Sequence, residues 1–458
     1  MEKEEVKQDI NNNTVKVITY GTYDLLHYGH IRLLERAKAL GNYLIVGVTA
    51  DGFDKARGKI NVQQSLMERI EAVKQTGLAD EIIVEEYEGQ KIDDIKRLGV
   101  DIFAIGSDWI GKFDYLKEFC KVVYLERTSG VSSSELRAEK IELGLGLVGE
   151  ISMLDKYEKE SHFVNGLKIS GVYGEYDDFL SATLKAIKTP SFEQLVECSD
   201  ALYIASHPKE HYKQILYALE NKKHVICKSP ITTNLKQWQE LKELAKRNSC
   251  VLFDSIKTGY AIAYYRLLLL VKSGIIGKVI SVDATCTSFQ DMQQREGKDF
   301  TQAWNSISAW GPTAMLPIFQ ILGTNYKDKT IVSHFSDEIK DFDLFTKISY
   351  IFADSVASIK VGKGVKSEGE LIVSGTKGYI YVPAPWWKTE YFEVRKENPA
   401  DNKRYFYQLE GEGIRYELIS FAKAITLKEK NFYIDDNVSQ AITKEVEDFY
   451  NRIKLVEI

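Results

Sequence analysis

At 458 residues the chain exceeds what one hydrophobic core usually organises, so two or three domains are expected. Hydrophobic residues make up 44% and charged residues 28%, the mix of a globular protein, and a formal charge of −6 argues against a broad basic surface for nucleic acid. Five scattered cysteines, Cys120, Cys198, Cys227, Cys250 and Cys286, show no CxxC pair and no metal-like spacing, which points to reduced thiols.

The start, MEKEEVKQDINNNT, is acidic and polar, the opposite of a secretory leader. The most apolar run, AIAYYRLLLLVKSG, is broken by Arg266 and Lys272 and is too short to span a bilayer. A cytoplasmic protein without membrane insertion is expected. From Val15 strand and helix alternate: VKVITYG, IRLLERAKALG, the fully apolar YLIVGVTA, QSLMERIEAVKQTG, EIIVEEY, GQKIDDIKRLG, DIFAIGSD and KVVYLERT, which runs into SGVSSSELRAEK. Such alternation predicts one doubly wound α/β domain over 14–138 behind a polar tail, 1–13.

A second α/β series follows over 139–270. Its strands are KIELGLGLVGEI, GLKISGVYGEYDD, DALYIASHP, HVICKSP and CVLFDSI, with a helix reaching Leu195 and others at EHYKQILYALENKK and NLKQWQELKELAKRN. Over 271–458 the texture changes to long alternating segments such as KVISVDATCTSF, FTKISYIFADSVASIKVG and GELIVSGTKGYIYVPA. These predict a largely antiparallel open sheet with helices near Met315 and at IRYELISFAKAI. The expected class is therefore α/β: a Rossmann-like domain, a second one, and an open-sheet α+β domain.

The stretch GTYDLLHYGH places His27 and His30 at a strand-to-helix junction. A helix N-terminus offers unpaired amides and the positive end of a dipole, and Gly29 permits close approach of a phosphate. Two imidazoles there can stabilise the charge of a departing pyrophosphate, chemistry that needs positioning and donors but no covalent nucleophile. Capping or core packing is the alternative use of such histidines.

This stretch, together with GSDWIGKFDYLKEFCKVVYLERTSGVSSSELR, strongly resembles the glycerol-3-phosphate cytidylyltransferase family over nearly all of residues 15–137. RTSGVSSS stands where the family carries Arg-Thr-x-Gly-Ile-Ser-Thr-Thr. The resemblance implies an HxGH nucleotidyltransferase that moves CMP from CTP to a small polyol phosphate, by default glycerol 3-phosphate, for cell-surface polymer synthesis. It also implies roles for residues. His27 and His30, with Lys59 and Arg127, would act on the reacting phosphates. Gly21, Thr22, Tyr23, Asp24, Gly29, Asp108, Trp109, Thr128, Ser132 and Ser133 would bind the nucleotide, and Asp24 would help position Mg2+ with CTP. The loop before Lys59 is about one residue longer than the family pattern. Trp109 serves equally as a packing residue.

Residues 141–425 resemble the Gfo/Idh/MocA oxidoreductase family, through DALYIASHPKEHYKQILYALENKKHVICKSPIT, LLLLVKSGIIGKVISVDA and ELIVSGTKGYIYV. That family implies NAD(P), a Rossmann domain and a sheet that mediates oligomerisation, so a homo-oligomer, dimer or tetramer, is expected. GLGLVG satisfies GxGxxG through Gly144, Gly146 and Gly149, but its first glycines fall within the strand. The better register begins at Gly149 and puts Ile151 and Leu154 at the other two glycine positions. Glu175, beside Gly174, stands in for the ribose-binding acid. Ser206, His207, His211, Lys228 and Pro230 are the remaining cofactor-side candidates. The family's Glu-Lys-Pro is here Lys228-Ser229-Pro230, and Ala309, Thr313 and Leu316 replace its Asp, His and Asp. Hydride transfer needs a proton partner, which these positions no longer supply. Two readings remain: a reductase using Lys228, Lys257 and Tyr260 to make the polyol phosphate, or a non-catalytic assembly module. In PAPWWKTEYFEV, Trp386, Trp387 and Tyr391 are suited either to stacking on a ligand ring or to packing under the sheet.

Overall fold

The computed structural model of the chain describes residues 14–50, 62, 64–87, 89–126, 142–149, 151–164, 166–174, 180–289, 304–337, 341–407, 409, 411–426 and 433–458. The chain divides into two compact units, Met1–Lys140 and Ile141–Ile458.

The first unit runs β1 (Lys16–Gly21), α1 (Tyr28–Lys38), β2 (Tyr43–Thr49), α2 (Leu66–Gln75), β3 (Glu81–Glu85), α3 (Gln90–Leu98), β4 (Ile102–Gly106) and β5 (Lys121–Leu125). The strands pair in parallel in the order β3-β2-β1-β4-β5. A continuous apolar run such as Leu44–Val48 is buried on both faces, as the centre of a parallel sheet requires. On one face Val17, Leu44 and Val46 pack with Leu34 and Ala37 of α1 and Val73 of α2. On the other, Ile18, Ile45 and Phe103 pack with Ile95 of α3. Local chemistry sets the helix ends: Ser65 and Glu68 form a reciprocal capping box on α2, and Gly99 ends α3 in the left-handed region at φ 63°. The strand order reverses between β1 and β4, which opens a crevice at their C-terminal ends.

The second unit continues with β6 (Leu143–Gly149), α4 (Ile151–Ser161), β7 (Leu167–Tyr173), α5 (Ala182–Ala186), α6 (Phe192–Cys198), β8 (Ala201–Ala205), α7 (Pro208–Glu220), β9 (His224–Lys228), α8 (Leu235–Arg247) and β10 (Leu252–Ser255). Sheet order is β10-β9-β8-β6-β7, again parallel, with its reversal between β6 and β8. The single helix expected to reach Leu195 is two short ones. Pro190 disfavours helical backbone at Thr189, whose N–H bonds the Val172 carbonyl (2.9 Å), and Ser191 caps a new start.

Then come α9 (Lys257–Tyr260), α10 (Ile262–Lys272), β11 (Val279–Thr287), α11 (Ser306–Leu322), β12 (Asp328–Phe335), β13 (Asp343–Ile351), β14 (Val356–Gly362), β15 (Leu371–Gly375), β16 (Gly378–Val382), β17 (Tyr391–Arg395), β18 (Lys403–Phe406), α12 (Ile414–Thr426), α13 (Asp436–Tyr450) and β19 (Leu455–Glu457). The nine-stranded sheet, β18-β17-β16-β15-β11-β14-β13-β12-β19, is mixed but largely antiparallel: among the described residues, only β11/β14 and β12/β19 pair in parallel. Buried Lys329 of β12 bonds Glu445 (2.8 Å) and Asp448 (2.6 Å), pinning α13 beneath the sheet. No helix among the described residues is long and apolar enough to cross a membrane.

Candidate functional site

In the first unit the chain leaves β1 through a strained turn. Tyr23 and Leu25 adopt φ of 54° and 47°, a region non-glycine residues rarely visit, on either side of fully buried Asp24. The tuck of the Tyr23 ring explains Gly21, because a Cβ there would lie 2.9 Å from it. Contacts from α2 and from Gln64, just before its N-cap, hold the turn. The Gln64 N–H donates to Asp24 Oδ1 (3.0 Å) and its side-chain oxygen accepts from Leu25 N–H (2.7 Å). Arg69, with no exposed surface, donates to the carbonyls of Thr22 (2.6 Å), Thr49 (2.8 Å) and Gln64 (3.2 Å).

His27 is the N-cap of α1, and its Nδ1 accepts from Gly29 N–H (3.1 Å). In the neutral ring the proton therefore sits on Nε2, a donor for a phosphate oxygen. The His27 and His30 rings stack at 4.0 Å, with the Tyr23 ring edge-on to His30 at 5.5 Å. A cleft of about 710 Å³ borders His27, lined also by Leu25, Leu26, Ile31 and Gln64. Across the crevice β4 ends at Gly106, followed by exposed Asp108 and by Trp109, half-buried against Phe113 (5.7 Å) with Lys112 over its ring (5.2 Å). Arg36, in the last turn of α1, donates to the Glu126 carbonyl (2.5 Å) just after β5. Lys59, Arg127, Thr128, Ser132 and Ser133 lie outside the described residues. Asp24 offers little to a resident metal ion, being buried and already bonded to an amide, and no cluster of metal-ligating groups occurs among the described residues.

In the second unit Gly144 and Gly146 lie inside β6 and Gly149 at its end. Gly149 has φ 116°, and a Cβ there would sit 2.3 Å from the Ala205 and Ser206 backbone, so only glycine fits the turn. Leu154 is wholly buried. Ser206 Oγ donates to Gln214 (2.5 Å), and His207 caps α7. Buried His211 lies with Nε2 2.8 Å from the Ser206 carbonyl and Nδ1 2.9 Å from that of Pro230. Burial pushes its pKa down to about 4, so the ring is neutral. Lys228 Nζ lies 3.8 Å over the indole of Trp304. Glu175 lies outside the described residues.

Lys228, Lys257 and Tyr260 are each engaged with a different partner. Lys257 pairs with Glu412 (2.7 Å), which also holds Lys388 (2.8 Å) and Lys156 (3.2 Å); burial lowers the Lys257 pKa. Tyr260 is buried, donating to the Asp254 carbonyl (3.1 Å). Of the positions that hold the oxidoreductase family's reactive residues, Leu316 is core, while Ala309 and Thr313 are half-buried along α11. Trp386 is buried, its indole N–H on the Thr285 carbonyl (3.0 Å); half-buried Trp387 packs on Trp310 (4.8 Å), and Tyr391 stacks on Phe406 (5.4 Å).

The Cytidylyltransferase-like family model matches residues 18–142, and the model described as Oxidoreductase family, NAD-binding Rossmann fold, matches residues 144–255. The glycerol-3-phosphate cytidylyltransferase of Bacillus spizizenii is 48% identical over 128 residues, covering 28% of this chain and 98% of that protein. The Staphylococcus aureus enzyme of the same name is 45% identical, covering 27% and 93%. The chain belongs to the glycerol-3-phosphate cytidylyltransferase family. It joins that family's nucleotidyltransferase domain to an oxidoreductase domain of the Gfo/Idh/MocA type. The second unit's fold is also that of KijD10, a 3-ketoreductase from Actinomadura kijaniata solved in complex with NADP and TDP-benzene. The TM-score is 0.61 at 12% identity, over 69% of this chain and 99% of that one.

Motif reading of the cytidylyltransferase domain misses Arg69 and Gln64. Arg69 carries a faint signal, a cation four residues before core Val73 on the inward stripe of α2. Trp304 of the oxidoreductase domain carries none.

Proposed function

We propose that the first unit transfers CMP from CTP to glycerol 3-phosphate, giving CDP-glycerol and pyrophosphate for a cell-surface polymer. The observation that carries this reading is the stacked His27/His30 pair at the start of α1, beside the sheet's switch point. A phosphate oxygen of the acceptor attacks the α-phosphorus of CTP. As that P–O bond forms, the bond to the bridging oxygen breaks and pyrophosphate leaves with the electron pair. The imidazole N–H groups and the amides opening α1 meet the charge that builds on the phosphates. Lys59, Arg127, Thr128, Ser132 and Ser133 complete the triphosphate site in this reading, and Asp108 and Trp109 border the nucleotide or acceptor. Magnesium enters as part of the MgCTP substrate, and Asp24 serves to hold the turn.

Incubation with CTP, magnesium and glycerol 3-phosphate tests the reading by pyrophosphate release. Silence from folded protein with every three- to five-carbon polyol phosphate would overturn it. For the second unit, NAD(P) is the cofactor class its fold supports. We assign it no reductase turnover, since Ser229, Ala309, Thr313 and Leu316 stand where proton transfer needs titratable groups. The open sheet is the surface we propose for homo-oligomerisation, and the protein acts in the cytoplasm.

A further inference from the structure

A Rossmann fold lays a dinucleotide across the C-terminal strand ends at the switch point, one mononucleotide half on either side. In the second unit the switch lies between β6 and β8, so one half falls over β6 and β7 and the nicotinamide half over β8 and β9. The first half keeps its glycine turn at Gly149. The second half is already filled. Trp304, only 4% exposed, carries Lys228 Nζ 3.8 Å over its ring, with the rings of His211 at 5.7 Å and His207 at 6.4 Å. His207 follows β8, Lys228 ends β9 and His211 lies in the first turn of α7 just after β8, so the indole lies against the C-terminal ends of these two strands.

The indole is anchored rather than draped. Lys363 Nζ grips the Trp304 carbonyl (2.7 Å), and the next residue, Asn305, caps α11 through Ser308 N–H (3.2 Å). Beside the indole, His211 lies between the Ser206 and Pro230 carbonyls, its neutral ring donating to one of the two. A flat aromatic ring held against a cation and two imidazoles is comparable in size to a nicotinamide ring.

We propose that Trp304 is the built-in occupant of the nicotinamide half-site, and that the second unit takes no intact NAD(P) for hydride transfer. This concerns the second unit and stands whether or not the first makes CDP-glycerol.

NADPH and NADH are titrated into the full-length protein, following nicotinamide fluorescence and energy transfer from tryptophan. No saturable binding is expected up to ~1 mM, whereas a Kd below ~100 µM for either overturns the proposal. Trp304→Gly, shown to be folded by an unchanged cytidylyltransferase rate and a cooperative melt of the second unit, should bind NADPH at least ~10-fold more tightly than the parent. Folded Trp304→Gly that binds no better also overturns it, because the indole would then not be what closes the half-site. If the variant does not fold, the parent titration decides alone.

Discussion

His27 does two jobs that one substitution can separate. Its Nδ1 caps α1 through Gly29, and its Nε2 is the donor that faces the proposed phosphate. Asparagine retains a capping oxygen and loses the imidazole, while alanine loses both. His27→Asn should melt within a degree or two of the parent yet lose ~10²-fold or more in turnover, whereas His27→Ala should also lose about 1 kcal/mol of stability. Equal melting of the two variants would show that the cap contributes nothing. Arg69 acts at one remove, as a positioning residue. Its planar fork holds three carbonyls that converge on the turn, a geometry the point charge of lysine cannot reproduce. Arg69→Lys should therefore cost about 2–4 kcal/mol in denaturant unfolding. Assayed well below its melting point, it should lower kcat more than it raises the KM for CTP, since the turn carrying His27 loosens. A loss confined to stability would make Arg69 purely structural.

At the scale of elements, most of the fold is legible in the sequence. β-branched and apolar runs place β1 to β10 because a buried parallel strand needs nothing more than continuous apolar surface. The expected helix ending near Leu195 fails at Pro190, a signal that was present and is decided by the pairing of Thr189 to β7. The candidate site is legible only where it is local. His27, Gly29 and His30 share one turn, while Arg69, Gln64 and Trp304 gain their meaning from contacts across long stretches of chain that no spacing rule encodes. The same holds for Glu417 of α12, which joins three elements: Tyr157 of α4 donates to it, as does Ser255 of β10 (2.9 Å). Burial raises its pKa from 4.5 to about 7. Below about 4.5 the carboxyl is protonated folded or unfolded, and its full contribution is present. As pH rises toward 7 only the unfolded chain ionises, so stability falls. Asp254 and Asp343, raised to about 6, act in the same direction, and His211, lowered to about 4, acts in the opposite one. The parent's profile sums these opposing effects, and the three raised carboxyls outweigh the one histidine, so its stability should fall as pH rises from 4.5 to 7. Glu417→Gln, which mimics the protonated form, isolates one component: relative to the parent it should gain about 2–3 kcal/mol between pH 5 and pH 8 in urea unfolding of the second unit. A difference that stays flat with pH would mean Glu417 is ionised when folded.

The molecule as a whole is two proteins' worth of structure on one chain. The cytidylyltransferase of Bacillus spizizenii is matched over 98% of its length by the first unit, and KijD10 is matched over 99% of its length at a TM-score of 0.61. Each unit also has a complete parallel sheet of its own, with a core on both faces in the first. Cooperativity follows shared core, so cores that are separately complete should melt separately. Calorimetry of the full chain should show two transitions rather than one. A ligand that binds only the folded form of one unit raises that transition alone, by about 2.7 kcal/mol at ~100 times its Kd. CTP with magnesium should thus move one transition upward by several degrees and leave the other in place, with His30→Ala reducing the shift. NADPH, under the Trp304 proposal, should move neither. If CTP raises both transitions together, or only a single transition exists, the units unfold as one and their linkage becomes thermodynamic as well as covalent. Ligand bound in the crevice between β1 and β4 would then be felt in the oxidoreductase domain, and the fusion would be a coupling device rather than two independent units sharing a chain.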